Sequence, residues 1–327
     1  MDGWRIFTGN GSQHDDLTKL PPPPPWRFSR PWPKIAPAPT AVDSAERMRA
    51  KPFIASEEMI LAVNAALYLR RPLLLTGKPG TGKSTLISKV ADELRLGPVL
   101  RWPINSRSTV RTGIYEYDAV GRLQAPGGTG AATRIEDYLV LGPLGASLAA
   151  RGRPVALLVD EIDKSDLDFA NDLLNVIEEG EYEIPELKRM GPGTIPVSAP
   201  FGQVVEITGG LLQADHFPFV VMTSNAEREF PAPFLRRCVR LDVGPPDRDE
   251  LEKIVKSQLT DFREVLPEKE VNTVIEKFLH ARATGDVSTD QLLNAVFLTV
   301  ALKKGVGRTF SDLELEELRT NLLRPIT

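Results

Sequence analysis

Leu73-Leu74-Leu75-Thr76-Gly77-Lys78-Pro79-Gly80-Thr81-Gly82-Lys83-Ser84-Thr85 is the stretch on which the reading of this chain turns. Its three leucines form an apolar run suited to a strand buried on both faces. Gly77 to Ser84 match the pattern G-x-x-x-x-G-K-[ST] in full. Behind them Leu86, Val90 and Leu94 recur every fourth residue, as on one face of a helix. Strand, glycine-rich turn and helix in that order form the context in which such a loop holds phosphate. Glycines let backbone N–H groups crowd around phosphate oxygens, and the helix N-terminus adds a favourable dipole. In that setting Lys83 reaches the β- and γ-phosphates, and Ser84 offers its hydroxyl to Mg2+.

Upstream, Ser56 is placed as an N-cap, with Glu57 and Glu58 where the helix dipole favours acids. Met59, Ile60, Val63 and Leu67 then line one face. Downstream, residues 99–103 read as a short strand. Residues 104–135, rich in Gly, Ser, Thr and Arg, read as a long loop or small insertion carrying Tyr115 and Tyr117. Pro154 to Glu161 is an apolar strand ending in two acids. Phe169 to Glu179 follows as a helix, and 181–208 as extended hairpin material. Phe219 to Thr223 is another buried strand, running into Ser224 and Asn225. After Pro245-Pro246 only helix patterns occur, near 247–260, 268–282, 288–303 and 311–323, the last capped by Ser311. Alternating strands and helices followed by helices alone predict an α/β fold. A P-loop NTPase parallel sheet over 51–243 is followed by a small all-helical lid over 244–327.

Residues 1–50 stand apart. Pro21 to Pro25 and four further prolines predict polyproline II. Trp4, Trp26 and Trp32 also lie here. The segment is either a disordered leader or a Pro/Trp-rich arm that docks on a neighbouring subunit or partner.

Composition narrows the function. The chain has 327 residues, a net charge of −4 and 42% hydrophobic residues. A mildly acidic balance weighs against a general nucleic-acid coat. The single Cys238 excludes an internal disulfide and fits a reducing cytoplasm. There is no apolar run long enough for a membrane span and no apolar leader. His14, His216 and His280 are scattered without zinc spacing.

The chemistry collects at strand ends, which face the ligand crevice in a parallel sheet. Asp160 is placed to hold Mg2+, and Glu161 to orient and activate the attacking water as general base. Asn225 closes a second strand at the same edge and can position that water. Arg236 and Arg237 follow Pro231 and Pro233. One of them is a candidate arginine finger for a neighbour's nucleotide, a device worth roughly 10³ to 10⁵ in rate.

Taken together, GKPGTGKST (77–85), VALLVDEID (155–163), VVMTSN (220–225) and FPAPFLRRC (230–238) make the chain resemble an AAA+ ATPase. RPLLLTGKPG (71–80), Gly142-Pro143-Leu144 and LNVIEEG (174–180) resemble its MoxR branch. That branch includes chaperone-like activators that work with von Willebrand factor A proteins. The resemblance covers residues 52–303. It implies that Gly77, Lys78, Pro79, Gly80, Thr81, Gly82, Lys83, Ser84 and Thr85 form Walker A and bind ATP. Asp160 and Glu161 become Walker B, with Mg2+ on Ser84 and Asp160. Asn225 matches sensor 1, and Arg237, followed by Cys238, matches the arginine finger better than Arg236 does. It further implies a ring homo-oligomer, a hexamer by likeness, with hydrolysis at its subunit interfaces. Such a ring remodels or activates a protein partner of the von Willebrand factor A or conflict-system kind. The insertions at 104–130 and 181–208 would line a pore or partner face, making Tyr115 and Tyr117 candidate contacts.

One departure matters. The branch carries a sensor 2 arginine near the start of a lid helix, where this chain has Asp290. A carboxylate cannot pair with a γ-phosphate, so another basic residue substitutes or the lid is weakly coupled. Two further readings stay open: a nucleotide-gated scaffold with little turnover, and a DNA-associated, clamp-loader-like ATPase using Arg101, Arg107, Arg111, Arg122 and Arg134.

Overall fold

The computed structural model describes residues 3–27, 33–38, 44–50, 52–124, 134–258, 267–285, 287–303 and 311–324. Its central sheet contains β1 (Leu73–Thr76), β2 (Leu100–Pro103), β5 (Ala156–Asp160), β10 (Phe219–Ser224) and β11 (Val239–Asp242). All neighbours are parallel, in the order β11-β1-β10-β5-β2. Strand residues alternate between two apolar layers, as a period of two requires. Leu73, Leu75, Leu158 and Val221 pack beneath α2 (Glu57–Leu69) and α3 (Lys83–Glu93). Leu74, Leu157, Val159 and Met222 face the opposite layer, with Leu173, Leu174 and Ile177 of α7 (Leu167–Glu179). Burial on both faces is why these strands read as unbroken apolar runs. β11 was not anticipated. It is an edge strand, half-exposed and alternating, recruited beside β1 by the Leu73↔Val239 register.

A second sheet joins the two insertions. β3 (Tyr115–Tyr117), β4 (Leu139–Leu141), β6 (Glu181–Glu183), β7 (Thr194–Ala199), β8 (Gln203–Thr208) and β9 (Leu211–Gln213) form it in the order β3-β4-β7-β8-β9-β6. β4 meets β7 in parallel through Val140↔Ser198, and β7 and β8 form an antiparallel hairpin. The short helices α4 (Val110–Ile114), α5 (Ala119–Gln124), α6 (Pro143–Ala149) and α8 (Pro185–Lys188) connect these strands. Of the two readings for residues 104–135, the small insertion holds, with α4, β3 and α5 inside it. Tyr115, a candidate pore contact, is instead buried. Its hydroxyl donates to Glu186 Oε2 at 2.6 Å, and the Arg111 guanidinium lies 5.1 Å from its ring. Tyr117 is half-buried and accepts a hydrogen bond from Arg122.

The N-terminal segment also departs from expectation. Ile6, Phe7 and Leu17 are buried in the layer beneath α2 and α3. Asn64, fully buried, accepts from the N–H groups of Ile6 and Phe7 at 2.7 and 3.1 Å and donates to the Phe7 carbonyl. Buried Glu93 accepts from Thr8 N and Oγ1, Gly9 N and Gly11 N at 2.6 to 3.1 Å. A buried carboxylate persists only when so satisfied. Residues 3–27 thus dock on their own core, and the apolar core begins at Ile6, well before residue 51. Trp4 packs on Tyr68, Trp26 is exposed, and Trp32 lies outside the described residues. Helix α1 (Ser44–Ala50) leads from this segment into the core.

After β10, α9 (Ala232–Leu235) carries the chain to β11. The C-terminal part is helical: α10 (Arg248–Gln258), α11 (Glu268–Thr284), α12 (Thr289–Lys303) and α13 (Asp312–Leu322). Its own core holds Leu251, Val255, Val274, Phe278, Leu292 and Val296. No helix among the described residues is long and apolar enough to cross a membrane.

Candidate functional site

The glycine loop is shaped by close approach. At Gly77, φ is +141° and a Cβ would lie 2.3 Å from the Val243 carbonyl oxygen. At Gly80, φ is +77° and a Cβ would meet the Ser288 side chain at 2.7 Å. A side chain at Gly77 would collide with backbone, and one at Gly80 would push off the helical part. α3 starts at Lys83, so its first N–H groups face the loop.

Lys83 is buried, and its Nζ donates to the carbonyls of Gly77 (2.6 Å) and Lys78 (2.9 Å) and to Asn225 Oδ1 (3.0 Å). Burial pulls its pKa below the usual lysine value, and nearby Asp163, Asp160, Glu161 and Asp242 oppose that shift. Ser84 Oγ donates to Asp160 Oδ1 at 2.7 Å, and Thr223 Oγ1 donates to the same oxygen at 2.5 Å. This is a hard-oxygen pair of the kind Mg2+ takes. Glu161 sits just past the strand end at φ 59°, in the left-handed region. There its side chain is 41% exposed and pairs with Lys164 at 2.5 Å. The backbone N–H of Glu161 donates to Thr223 Oγ1, tying the ends of β5 and β10 together.

Lys83, Ser84, Asp160 and Asn225 are therefore brought together, with Glu161 beside them. Arg236 and Arg237 lie apart, at the end of α9. Arg236 is exposed, and its side chain makes no hydrogen bond or ion pair among the described residues. Arg237 is half-buried and bonded to Glu178 and Asn175 of α7.

Two residues at this site went unread in the sequence. Asp163, only 4% exposed, accepts through Oδ2 from the N–H groups of Asn225 and Glu227 at 3.0 and 3.2 Å. Its position two residues after Glu161 was the available signal. Arg282, near the end of α11, lines a cavity of about 540 Å³ with Gly77, Lys78 and Asn225. One Nη of Arg282 donates to the Pro246 carbonyl at 2.8 Å. Nothing local marks it in the sequence. A neighbouring cavity of about 780 Å³ is lined by Phe53, Gly82, Ile254, Asp290 and Leu293. Asp290 accepts from Asn294 within its own helix.

Residues 72–229 match the family model of the AAA domain, dynein-related subfamily. Among solved structures, the chain is similar to NtrX from Brucella abortus in complex with ADP. That match has 13% identity and a TM-score of 0.45, over 83% of this chain and 58% of that one. It is also similar to two mutant forms of RuvB from Thermotoga maritima, at 16% and 17% identity with TM-scores of 0.47 and 0.46. These cover 81% and 83% of this chain and 68% and 70% of theirs. The chain thus spans less than two thirds of the NtrX chain. No curated protein matches it. Sheet order, glycine loop and the matched domain define the fold class: a P-loop α/β core, its residues 72–229 similar to an AAA domain, with a helical C-terminal part.

Proposed function

We propose that this chain is a MoxR-like AAA+ ATPase that hydrolyses ATP between subunits of a cytoplasmic ring and thereby remodels or activates a protein partner. The observation that carries the reading is the cluster Lys83, Ser84, Asp160, Asn225 beneath the glycine loop, with Glu161 beside it. The loop N–H groups receive the phosphates, and Lys83 exchanges its carbonyl partners for phosphate oxygens. Ser84 and Asp160 would hold Mg2+, which when bound neutralises phosphate charge. Glu161 takes the proton of the attacking water as its oxygen bonds the γ-phosphorus and the bond to the β-phosphate breaks. Asn225, fixed through its backbone by Asp163, orients that water. Arg237, the stronger candidate, or Arg236 reaches the nucleotide of the next subunit. Arg282 takes the place of a basic residue at position 290, since it lines the phosphate side of the crevice.

The scaffold reading draws on the Lys164–Glu161 pair, which neutralises the general base. Both side chains are exposed, so solvent and salt screen the pair. Turnover is slowed by it and not blocked. The DNA reading is weakened, since Arg101 pairs with Glu46, Arg111 with Glu186 and Arg134 with Glu136, leaving Arg122, bonded to Tyr117, and the exposed Arg107.

Calorimetric titration with Mg-ATP, alongside phosphate release, tests the proposal. Wild type binds and turns over, and Lys83→Ala does neither. ATP affinity retained by Lys83→Ala would overturn the assignment.

A further inference from the structure

Residues 3–27 run from the core to a corner where Arg27 and Arg237 meet Glu178. The base of this segment is pinned by Asn64 and Glu93, and Leu17 is buried. Pro21 to Pro25 then form a stiff spacer, with the Pro21 carbonyl accepting from Arg70 at 2.5 Å. A turn closed by Arg27 N–H to the Pro24 carbonyl, at 2.9 Å, presents the Arg27 side chain, which is only 8% exposed. Arg27 donates to Glu178 Oε1 at 2.8 Å. The other oxygen of that carboxylate accepts from Arg237 Nε and Nη2 at 2.9 and 2.5 Å, and Nη2 also donates to Asn175 Oδ1 at 2.7 Å.

One carboxylate thus holds two guanidinium groups. Burial raises the pKa of Glu178, and Arg237 and Arg27 together outweigh it, leaving the carboxyl below its usual value. A carboxylate bonded on one oxygen can still swing about its terminal torsion. Bonded on both, its plane is fixed, and so is the edge of Arg237 that rests on it.

We propose that Arg27 is a positioning residue for Arg237. Docking of the N-terminal segment sets the orientation in which Arg237 is offered to the neighbouring subunit's nucleotide. This inference rests on the reading of Arg237 as the arginine that acts between subunits. It gives the proline run a mechanical role: a strut between the anchor on α2 and α3 and the corner at α7.

The test is phosphate release at saturating ATP and saturating protein. The variants are Arg27→Ala, Arg27→Lys, Arg237→Ala and the double variant Arg27→Ala/Arg237→Ala. Arg237→Ala loses roughly 10³-fold in maximal rate. Arg27→Ala loses about five- to tenfold with an unchanged KM for ATP, and Arg27→Lys recovers to within about twofold of wild type, as a positioned charge requires. The double variant is no slower than Arg237→Ala alone, because the two act as one unit. A wild-type maximal rate in Arg27→Ala, with Arg237→Ala inactive, would mean that Arg27 merely pins the segment, and would overturn the proposal alone. So would additive losses in the double variant. An active Arg237→Ala would overturn the proposal together with the reading beneath it. Limited proteolysis of residues 1–50 in Arg27→Ala separates a lost orientation from a detached segment, and Arg27→Lys keeps the test open should the alanine variant fail to fold.

Discussion

The parallel sheet and the sheet of the insertions share one apolar core but differ in strand length and in how many faces are buried. β1, β5 and β10 are buried on both faces, and each delivers a site residue within a step or two of its end: Gly77, Asp160 and Asn225. β3, β4, β6 and β9 have three residues each, and β4 finds β7 only through Val140↔Ser198. Tyr115, Leu139, Leu141 and Leu212 anchor them in the core, and side-chain links such as Tyr115–Glu186–Arg111 add to this. The clustered candidate site residues stand at the ends of strands buried on both faces. The second sheet shares that apolar core and adds polar links at its margin that can be cut one at a time.

The sharpest way to break this contrast is at the catalytic end of the parallel sheet. Glu161→Gln should lower phosphate release by about 10²- to 10⁴-fold, the usual worth of a general base, while ATP still binds in calorimetry. An equal loss from a second-sheet substitution would erase the distinction. Next comes packing. Leu158→Ala empties a fully packed position in β5 and should cost about 2–5 kcal/mol in denaturant unfolding. Val204→Ala, on β8 and 65% exposed, should stay within about 0.5 kcal/mol.

How much of this was legible follows the same division. The strands at Leu73, Pro154 and Phe219 were readable because double-sided burial writes a continuous apolar run. The glycine loop and the acids at 160 and 161 were readable because phosphate and metal chemistry fix residue types at short range. β11 was missed, since an edge strand needs no such run. The hairpin within 181–208 was readable, but its union with β3 and β4 in one sheet was missed, because that pairing is set between segments dozens of residues apart, which no local period records. Asp163 and Arg282 were missed for a related reason: each reaches the candidate site only through folding, Asp163 by bonds to Asn225 and Glu227 and Arg282 by lining the cavity beside Gly77. The N-terminal segment misled by composition. Its prolines and tryptophans suggested either a disordered leader or an arm docked on a neighbour, whereas Ile6, Phe7 and Leu17, each unremarkable alone, anchor it on its own core.

The contrast can be sharpened further by cutting one link. Glu186→Gln removes the charge that Tyr115 and Arg111 share, worth about 1.5–3 kcal/mol for bonds to an ionised group. Hydrogen exchange at residues 110–117 should rise while ATP affinity holds. The smallest effect is a pH dependence at the arginine corner. The folded-state pKa of Glu178 lies below its ordinary value of 4.5. Its contribution to stability is therefore present above that value and is lost as pH falls through the lower, folded one. Melting temperature should drop less steeply below pH 4.5 in Glu178→Gln than in wild type.

The most direct test of the central claim, a nucleotide site completed by a second subunit, is phosphate release per subunit against protein concentration, with Glu161→Gln as the blank. A rate per subunit that climbs steeply with concentration and then levels is the predicted result. A rate above the blank that stays constant across the same range would contradict it, because each chain would then hydrolyse ATP alone.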